Sequence, residues 1–175
     1  MRLCYVDAFS GVSGDMLVGA LADAGADQKT ICEALEALGV GARVRFERVI
    51  RGGIAATKFH VEAEGPGPRR HLKDILEVIA ASGAPERVKQ NATKVFERLG
   101  QVEAAIHQVP VERVHFHEVG AVDSIADVVG ACLALELLGI EQVLCSPVNL
   151  GGGTASTDHG VLPVPAPATA ALLEG

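Results

Sequence analysis

The spacing of apolar residues along the chain changes between a period of about 3.6 and a period of two, which predicts a mixture of helices and strands. A short apolar run at residues 3–6 predicts a strand, and the helical spacing of residues 16–21 predicts a helix after it. A second helix is predicted at residues 27–38, with Asp27 as its cap. The period is then two in residues 44–63, where Gly52-Gly53 is typical of the turn of a β-hairpin.

The rest of the chain follows the same two patterns. Helices are predicted at residues 72–79, 85 to about 107, 123–138 and from 168 onward, and extended segments at 114–118 and 143–145. Residues 65–70, rich in glycine and proline, predict a flexible loop. We therefore predict a single α/β domain with a small mixed β-sheet and flanking helices.

Composition supports a globular protein and excludes several classes of partner. The 175 residues are 49% apolar and 3% aromatic, so the core is expected to consist of Ala, Val, Leu and Ile. A net charge of −7 argues against a nucleic-acid binder. No apolar run approaches the roughly 20 residues that span a bilayer. The four cysteines are far apart and lack a Cys-x-x-Cys pair, so we expect reduced thiols and a cytoplasmic protein.

The first group of residues with possible chemistry follows the first strand. Asp7 ends this strand, and Ser10, Ser13 and Asp15 lie in a glycine-bearing loop before the next helix. Backbone N–H groups at such a helix start can hold an anion. The alternative is a tight strand-to-helix turn in which Asp15 caps the helix.

A second group lies around residues 115–127. His115 and His117 are two apart in an extended segment, so both imidazoles can face one side and converge on one ion. Glu118 follows, and Asp123 and Asp127 share one face of the next helix. Imidazole and carboxylate groups suit Ni, Zn, Fe or Mn. The alternative is an exposed strand edge with two polar histidines and Asp123 as a helix cap.

Two weaker groups have a plausible ligand role. His71 lies at a predicted helix start, where a solvated terminus is the alternative. Asn149, Gly151 and His159 lie in a loop-rich region whose consecutive glycines would let the backbone approach a ligand closely. The alternative there is a flexible connection.

Four segments together resemble one known family. Residues 5–16, 114–127, 146–151 and 159–169 are similar, in this order, to motifs of the LarC family, the nickel-insertion component of nickel-pincer cofactor biosynthesis. The resemblance implies a CTP-dependent cyclometallase, a lyase-type enzyme serving lactate racemase and related enzymes. Its substrate would be a pyridinium-3,5-bisthiocarboxylic acid mononucleotide, in which it forms one nickel–carbon and two nickel–sulfur bonds.

Family members are considerably longer, so residues 1–175 are expected to be the N-terminal domain. CTP, with Mg or Mn, is expected in the C-terminal part, which would be this domain's partner.

Within the motifs that carry the resemblance, the chemistry of the residues singled out above suggests a role for each. The expected metal ligands are His115, His117, Glu118 and Asp123. The expected catalytic residues, around the mononucleotide phosphate or a cation, are Asp7, Ser10, Ser13 and Asp15. The expected cofactor-binding residues are His71, Asn149, Gly151 and His159.

Two other functions remain open at this stage. The histidine and aspartate cluster could activate water in a metal-dependent hydrolase. The chain could instead be a non-catalytic assembly module, for example a homo-oligomer, in which Gly130, Ala131 and Ala134 allow close helix approach.

Overall fold

The computed structural model describes residues 1–63, 70–116, 121–157 and 160–174. Helices and strands alternate irregularly along the described chain. In order they are β1 (Leu3–Val6), α1 (Gly14–Asp23), α2 (Gln28–Glu36), β2 (Ala42–Arg51), β3 (Ile54–Ala63), β4 (Arg70–His71), α3 (Leu72–Ala81), α4 (Glu86–His107), β5 (His115–Phe116), α5 (Val122–Leu137), β6 (Gln142–Cys145), β7 (Thr154–Thr157), β8 (Gly160–Pro163) and α6 (Pro167–Leu173).

The predicted α/β class with flanking helices is confirmed, although small separate sheets among the described residues take the place of the single mixed sheet that was expected. Within the described residues, the strands form four two-stranded sheets. β1 and β6 are parallel, whereas the pairs β2–β3, β4–β5 and β7–β8 are antiparallel. The loop predicted at residues 65–70 lies largely outside the described residues, since only Arg70 of this segment is described.

The core lies where α1, α2 and α5 pack against one face of the β2–β3 hairpin. Val18, Leu35 and Ile125 are fully buried there, and Phe59 is 1% exposed. The ring of Phe59 lies 5.0 Å from that of Phe46 between centroids. Aliphatic side chains thus make up most of the core, as the composition predicts.

Small residues of α5 face this core and not a partner. A Cβ on Gly130 would lie 3.3 Å from Leu35 Cδ1 and 3.4 Å from Val18 Cγ2. Ala134 is fully buried, and Ala131 packs against the same core. The assembly surface that the sequence suggested is therefore wrong for Gly130, because Val18 of α1 and Leu35 of α2 in the same chain occupy it.

Helix α4 confirms the prediction for residues 85–107 and continues through Gly100. A Cβ on Gly100 would lie 2.9 Å from Leu72 Cδ2. Glycine at this position thus lets the start of α3 approach α4 closely. The β7–β8 hairpin, in contrast, was not predicted, because its strands have only four residues each and lie among glycines.

Asp27 caps α2 as predicted, so its removal has a defined expected cost. Its Oδ2 accepts hydrogen bonds from the Thr30 N–H at 2.7 Å and from Thr30 Oγ1 at 2.6 Å. Asp27→Ala should lower the free energy of unfolding by about 1 kcal/mol, because the Thr30 N–H loses its acceptor. Urea unfolding followed by circular dichroism measures this loss, and Asp27→Asn, which keeps an oxygen acceptor, should retain most of the stability. An Asp27→Ala protein as stable as wild type would show that the cap is dispensable.

None of the helices in the described part of the chain has the length and apolar character needed to cross a membrane.

Candidate functional site at the carboxyl ends of the parallel strands

The candidate site lies where β1 and β6 end. Because these strands are parallel, their carboxyl ends lie at the same edge of the sheet. The pairing continues one step beyond the strands, since the Ser146 N–H donates to the Val6 carbonyl at 2.9 Å. Ligands of α/β proteins commonly bind at such an edge, where the loops after the strands converge.

Hydrogen bonds fix the loop after β1 against the loop after β6. The Ala8 N–H donates to Ser146 Oγ at 2.8 Å, and the Ala8 carbonyl accepts from the N–H groups of Gly11 at 2.9 Å and Asn149 at 3.3 Å. Gly11 has a φ of +85°, and a Cβ there would lie 3.3 Å from the Asn149 carbonyl oxygen. Asp7 and Ser10, both exposed, therefore lie in a loop whose backbone is held in place.

Asn149 and Gly151 lie in the second of these loops. The Gly151 N–H donates to Asn149 Oδ1 at 3.0 Å, which closes a tight turn. The structure thus brings two of the predicted cofactor-binding residues to the same edge as Asp7 and Ser10. It also uses the Asn149 side-chain oxygen within the turn.

The first turn of α1 brings together Ser13 and Asp15. Ser13 occupies the N-cap position, and its hydroxyl donates to Asp15 Oδ1. Asp15 lies inside the first turn and does not cap the helix, so the alternative assigned to it from the sequence is wrong. Its carboxylate is placed where the partial positive charge of the helix start favours an anion.

Helices α1 and α5 approach each other closely at Gly14. A Cβ on Gly14 would lie 2.5 Å from Asp127 Oδ2 and 2.6 Å from Asp127 Cβ. The backbone N–H of Asp15 donates to the Asp127 carboxylate. Asp123, one turn earlier in α5, is exposed, and its Oδ1 accepts from the Ser124 N–H at 2.8 Å. It occupies the first turn of α5, whose N-cap is Ala121, so the alternative that made Asp123 the cap is also wrong.

Asp127 is the most perturbed carboxyl group of this site. Partial burial, together with the negative charges of Asp15 and Asp123, raises its pKa to about 6. Its Oδ1 is buried and has no hydrogen-bond partner among the described residues. We call Asp15, Asp123 and Asp127 the acidic cluster. A cation beside it would relieve the repulsion that these three carboxylates impose on one another.

The structure describes only some of the histidines that the sequence predicts as site residues. His71 pairs with His115 in the β4–β5 register, which brings the two backbones together. The His71 ring lies with Nδ1 3.2 Å from the Val114 carbonyl oxygen, and the backbone N–H of His71 donates to Asp74 Oδ2 at 2.8 Å. His117, Glu118 and His159 lie outside the described residues, as does the side chain of His115.

Within the described ranges, no group of three or more His, Cys, Asp or Glu side chains is arranged to hold a metal ion. The ligand set predicted from the sequence includes two residues beyond those ranges, so it stays a prediction.

Comparison with known proteins decides the family. A family model described as nickel insertion protein matches residues 4–175. The chain belongs to this family.

Curated relatives of this nickel insertion family align with the whole chain. A putative nickel insertion protein of Thermomicrobium roseum is 53% identical over 99% of this chain and 43% of its own length. A pyridinium-3,5-bisthiocarboxylic acid mononucleotide nickel insertion protein of Desulfitobacterium hafniense is 47% identical over 100% of this chain and 44% of its own length. A protein of the same name from Staphylococcus epidermidis is 44% identical over 99% of this chain. The chain therefore spans less than half the length of these relatives. No solved structure matches it.

The sequence predicts the position of one residue of the candidate site, Asp127, only in part. The spacing placed Asp127 on one helix face with Asp123, but it did not indicate that Asp127 contacts Gly14 and Asp15. The available signal was the glycine directly before Asp15, since a glycine in the first turn of a helix allows another chain segment to approach.

Proposed function

We propose that this chain is the metal- and substrate-handling part of an enzyme that inserts nickel into a pyridinium mononucleotide. The observation that carries the proposal is the acidic cluster where the start of α1 meets α5, in which partial burial and the charges of Asp15 and Asp123 raise the pKa of Asp127. Membership of the nickel insertion family and the names of the relatives from D. hafniense and S. epidermidis support the choice of metal and substrate.

Nickel would be received between the acidic cluster and the segment just before α5. Only residues 117–120 separate β5 from Ala121, and Asp123 is in the first turn of α5. His115, His117, Glu118 and Asp123 would then supply imidazole and carboxylate ligands, a donor set suited to Ni²⁺. Asp127 and Asp15 would add negative charge near these ligands.

The mononucleotide would bind at the loops after the two strands. The positive ring nitrogen is attracted by carboxylates, whereas the thiocarboxylate and phosphate groups of the same molecule would be repelled by Asp7 and Asp15 unless backbone N–H groups or a cation intervene. Ser10, Ser13, Asn149 and Gly151 would supply polar contacts. His71 and His159 are the remaining residues for which we propose a role in ligand handling.

The rest of the reaction would depend on the part of the family's chain that these 175 residues lack. We propose that CTP, with Mg or Mn, acts there in a lyase-type cyclometallation that provides the cofactor of lactate racemase-type enzymes. The cytoplasm is the proposed location, in keeping with four cysteines that are all free thiols.

Nickel titration of the 175-residue chain by calorimetry tests this proposal. We expect one bound Ni²⁺ per chain, and we expect His115→Ala and His117→Ala each to weaken binding at least tenfold, because each removes a ligand. His107→Ala is the matched control, since His107 lies at the far end of α4 beside Glu103 and should leave the affinity unchanged.

Two results would count against the proposal. An absence of nickel binding by the wild-type chain would remove its metal part. Turnover of phosphate or amide esters with added Zn or Mn, which the proposal does not expect, would favour the hydrolase alternative.

A further inference from the structure

The sequence of the parallel pair β1–β6 is typical of a buried sheet, but several of its apolar side chains are exposed. β1 reads Leu-Cys-Tyr-Val and β6 reads Gln-Val-Leu-Cys, so each strand contains a run of at least three apolar residues. Such runs are typical of parallel strands covered on both faces, whereas a half-exposed strand alternates apolar with polar residues. The sequence therefore predicts cover on both sides of this sheet.

The described residues cover only part of it. Three apolar side chains, Leu3, Tyr5 and Leu144, share one face, on which Leu3 pairs with Gln142 and Tyr5 pairs with Leu144. They are 42%, 59% and 43% exposed, respectively. We call these three side chains the outer sheet face. On the opposite face Cys4 packs against the core, but Val143, its partner in the register, is 49% exposed.

This exposure does not come from a loosely held strand. At the start of the pair, the Glu141 N–H donates to the Arg2 carbonyl at 2.8 Å, and the Arg2 N–H donates to Glu141 Oε1 at 2.8 Å. At its end, the Ser146 N–H donates to Val6. The apolar side chains are thus presented to solvent on a strand pair that is hydrogen-bonded at both ends. Contiguous exposed apolar surface of this kind marks an interaction site.

We propose that the outer sheet face is the docking surface for the remaining polypeptide of the family's longer chain. More than half of the length of the T. roseum and D. hafniense relatives has no counterpart in these 175 residues, so they contain polypeptide that could cover the sheet. Parallel sheets are covered by helices or extended by further strands of the same chain. This inference rests on the proposed function in that it takes the longer chain as the working enzyme.

The position of this surface gives the docking a functional consequence. The same strands carry the loops of the candidate site at their carboxyl ends, so polypeptide that packs on Leu3, Tyr5 and Leu144 would lie on the strands that lead into that site. Docking would thus bring groups of the remaining polypeptide toward the loops after β1 and β6.

Hydrogen–deuterium exchange, measured on two intact proteins, tests the proposal. The full-length T. roseum relative and the 175-residue chain are compared, with exchange normalised to the peptides of α5 in each. We expect the peptides aligned with β1 and β6 to exchange at least tenfold more slowly in the longer protein. The tip of the β2–β3 hairpin is the internal control, since Ile50 and Ile54 are 75% and 74% exposed and no cover is proposed there.

Sedimentation of the 175-residue chain and of its Tyr5→Asp variant tests whether a second copy of the chain covers the outer sheet face instead. We expect monomers in both cases. Equal exchange of β1 and β6 in the two proteins would overturn the proposal, as would a wild-type dimer that Tyr5→Asp dissociates, because a second copy would then cover the face. Neither readout uses nickel or a mononucleotide, so failure here is distinct from failure of the proposed function.

Discussion

Gly19→Ala is expected to lower the free energy of unfolding by about 3 kcal/mol, because α1 crosses β3 with almost no space between the two backbones. A Cβ on Gly19 would lie 2.4 Å from the Thr57 carbonyl oxygen. The Asp23 carboxylate accepts from the Thr57 N–H at 2.8 Å and from Thr57 Oγ1 at 2.7 Å, and it pairs with Arg48. The hairpin is therefore fastened to the end of α1 and cannot move away without losing these bonds.

Chemical denaturation of the two proteins measures this effect, and Gly83→Ala is the matched control. A Cβ on Gly83 has nothing within 4 Å, so the control should be neutral or slightly stabilised. If Gly19→Ala proved as stable as Gly83→Ala, the close packing of α1 on the hairpin would be wrong.

The wild-type protein is expected to lose stability as the pH rises, and the Asp127→Asn variant is expected not to show this loss. The pKa of Asp127 is about 6 in the folded chain and 3.8 without its surroundings, so the folded state binds more protons between these two values. Its contribution to stability is thus largest below pH 3.8, falls as the pH rises, and is fully lost above about 6. At pH 8 the asparagine variant should be more stable by about 1–2 kcal/mol, after allowance for the partial exposure of this group.

Urea unfolding of both proteins from pH 4 to pH 8 checks this expectation as the difference between them. Asparagine can still accept the hydrogen bond from the Asp15 N–H, so the comparison isolates the charge. Asp27→Asn serves as the control of opposite sign, because its hydrogen bonds to Thr30 lower the pKa of Asp27. That carboxylate contributes stability above pH 3.8, which is lost as the pH falls through its lowered pKa. A difference between Asp127→Asn and wild type that does not change with pH would show that Asp127 is not electrostatically strained.

Local patterns were enough to predict most helices. Apolar periodicity located α2, α4 and α5 to within a few residues, and a single side chain, Asp27, indicated where α2 begins. These features depend on residues close together in the chain. Gly100 shows the limit of such reasoning, because the glycine serves contact with Leu72 and does not end the helix.

The site could be predicted only in part, because its decisive contact is long-range. Ser13 and Asp15 could be grouped from their spacing, as could Asp123 and Asp127. That these two pairs meet depends on how α1 and α5 pack, with Gly14 against Asp127. The parallel pairing of β1 with β6 likewise joins segments at opposite ends of the chain. Spacing within a motif cannot reveal either contact.

Anomalous diffraction from nickel-soaked crystals of this chain tests the central claim most directly. Data collected on both sides of the nickel absorption edge locate the ion without reference to any assumed ligand. We predict one peak at the start of α5, at coordination distance from the Asp123 carboxylate and from an imidazole of His115 or His117. A nickel peak elsewhere on the chain, with none at the start of α5, would contradict the account.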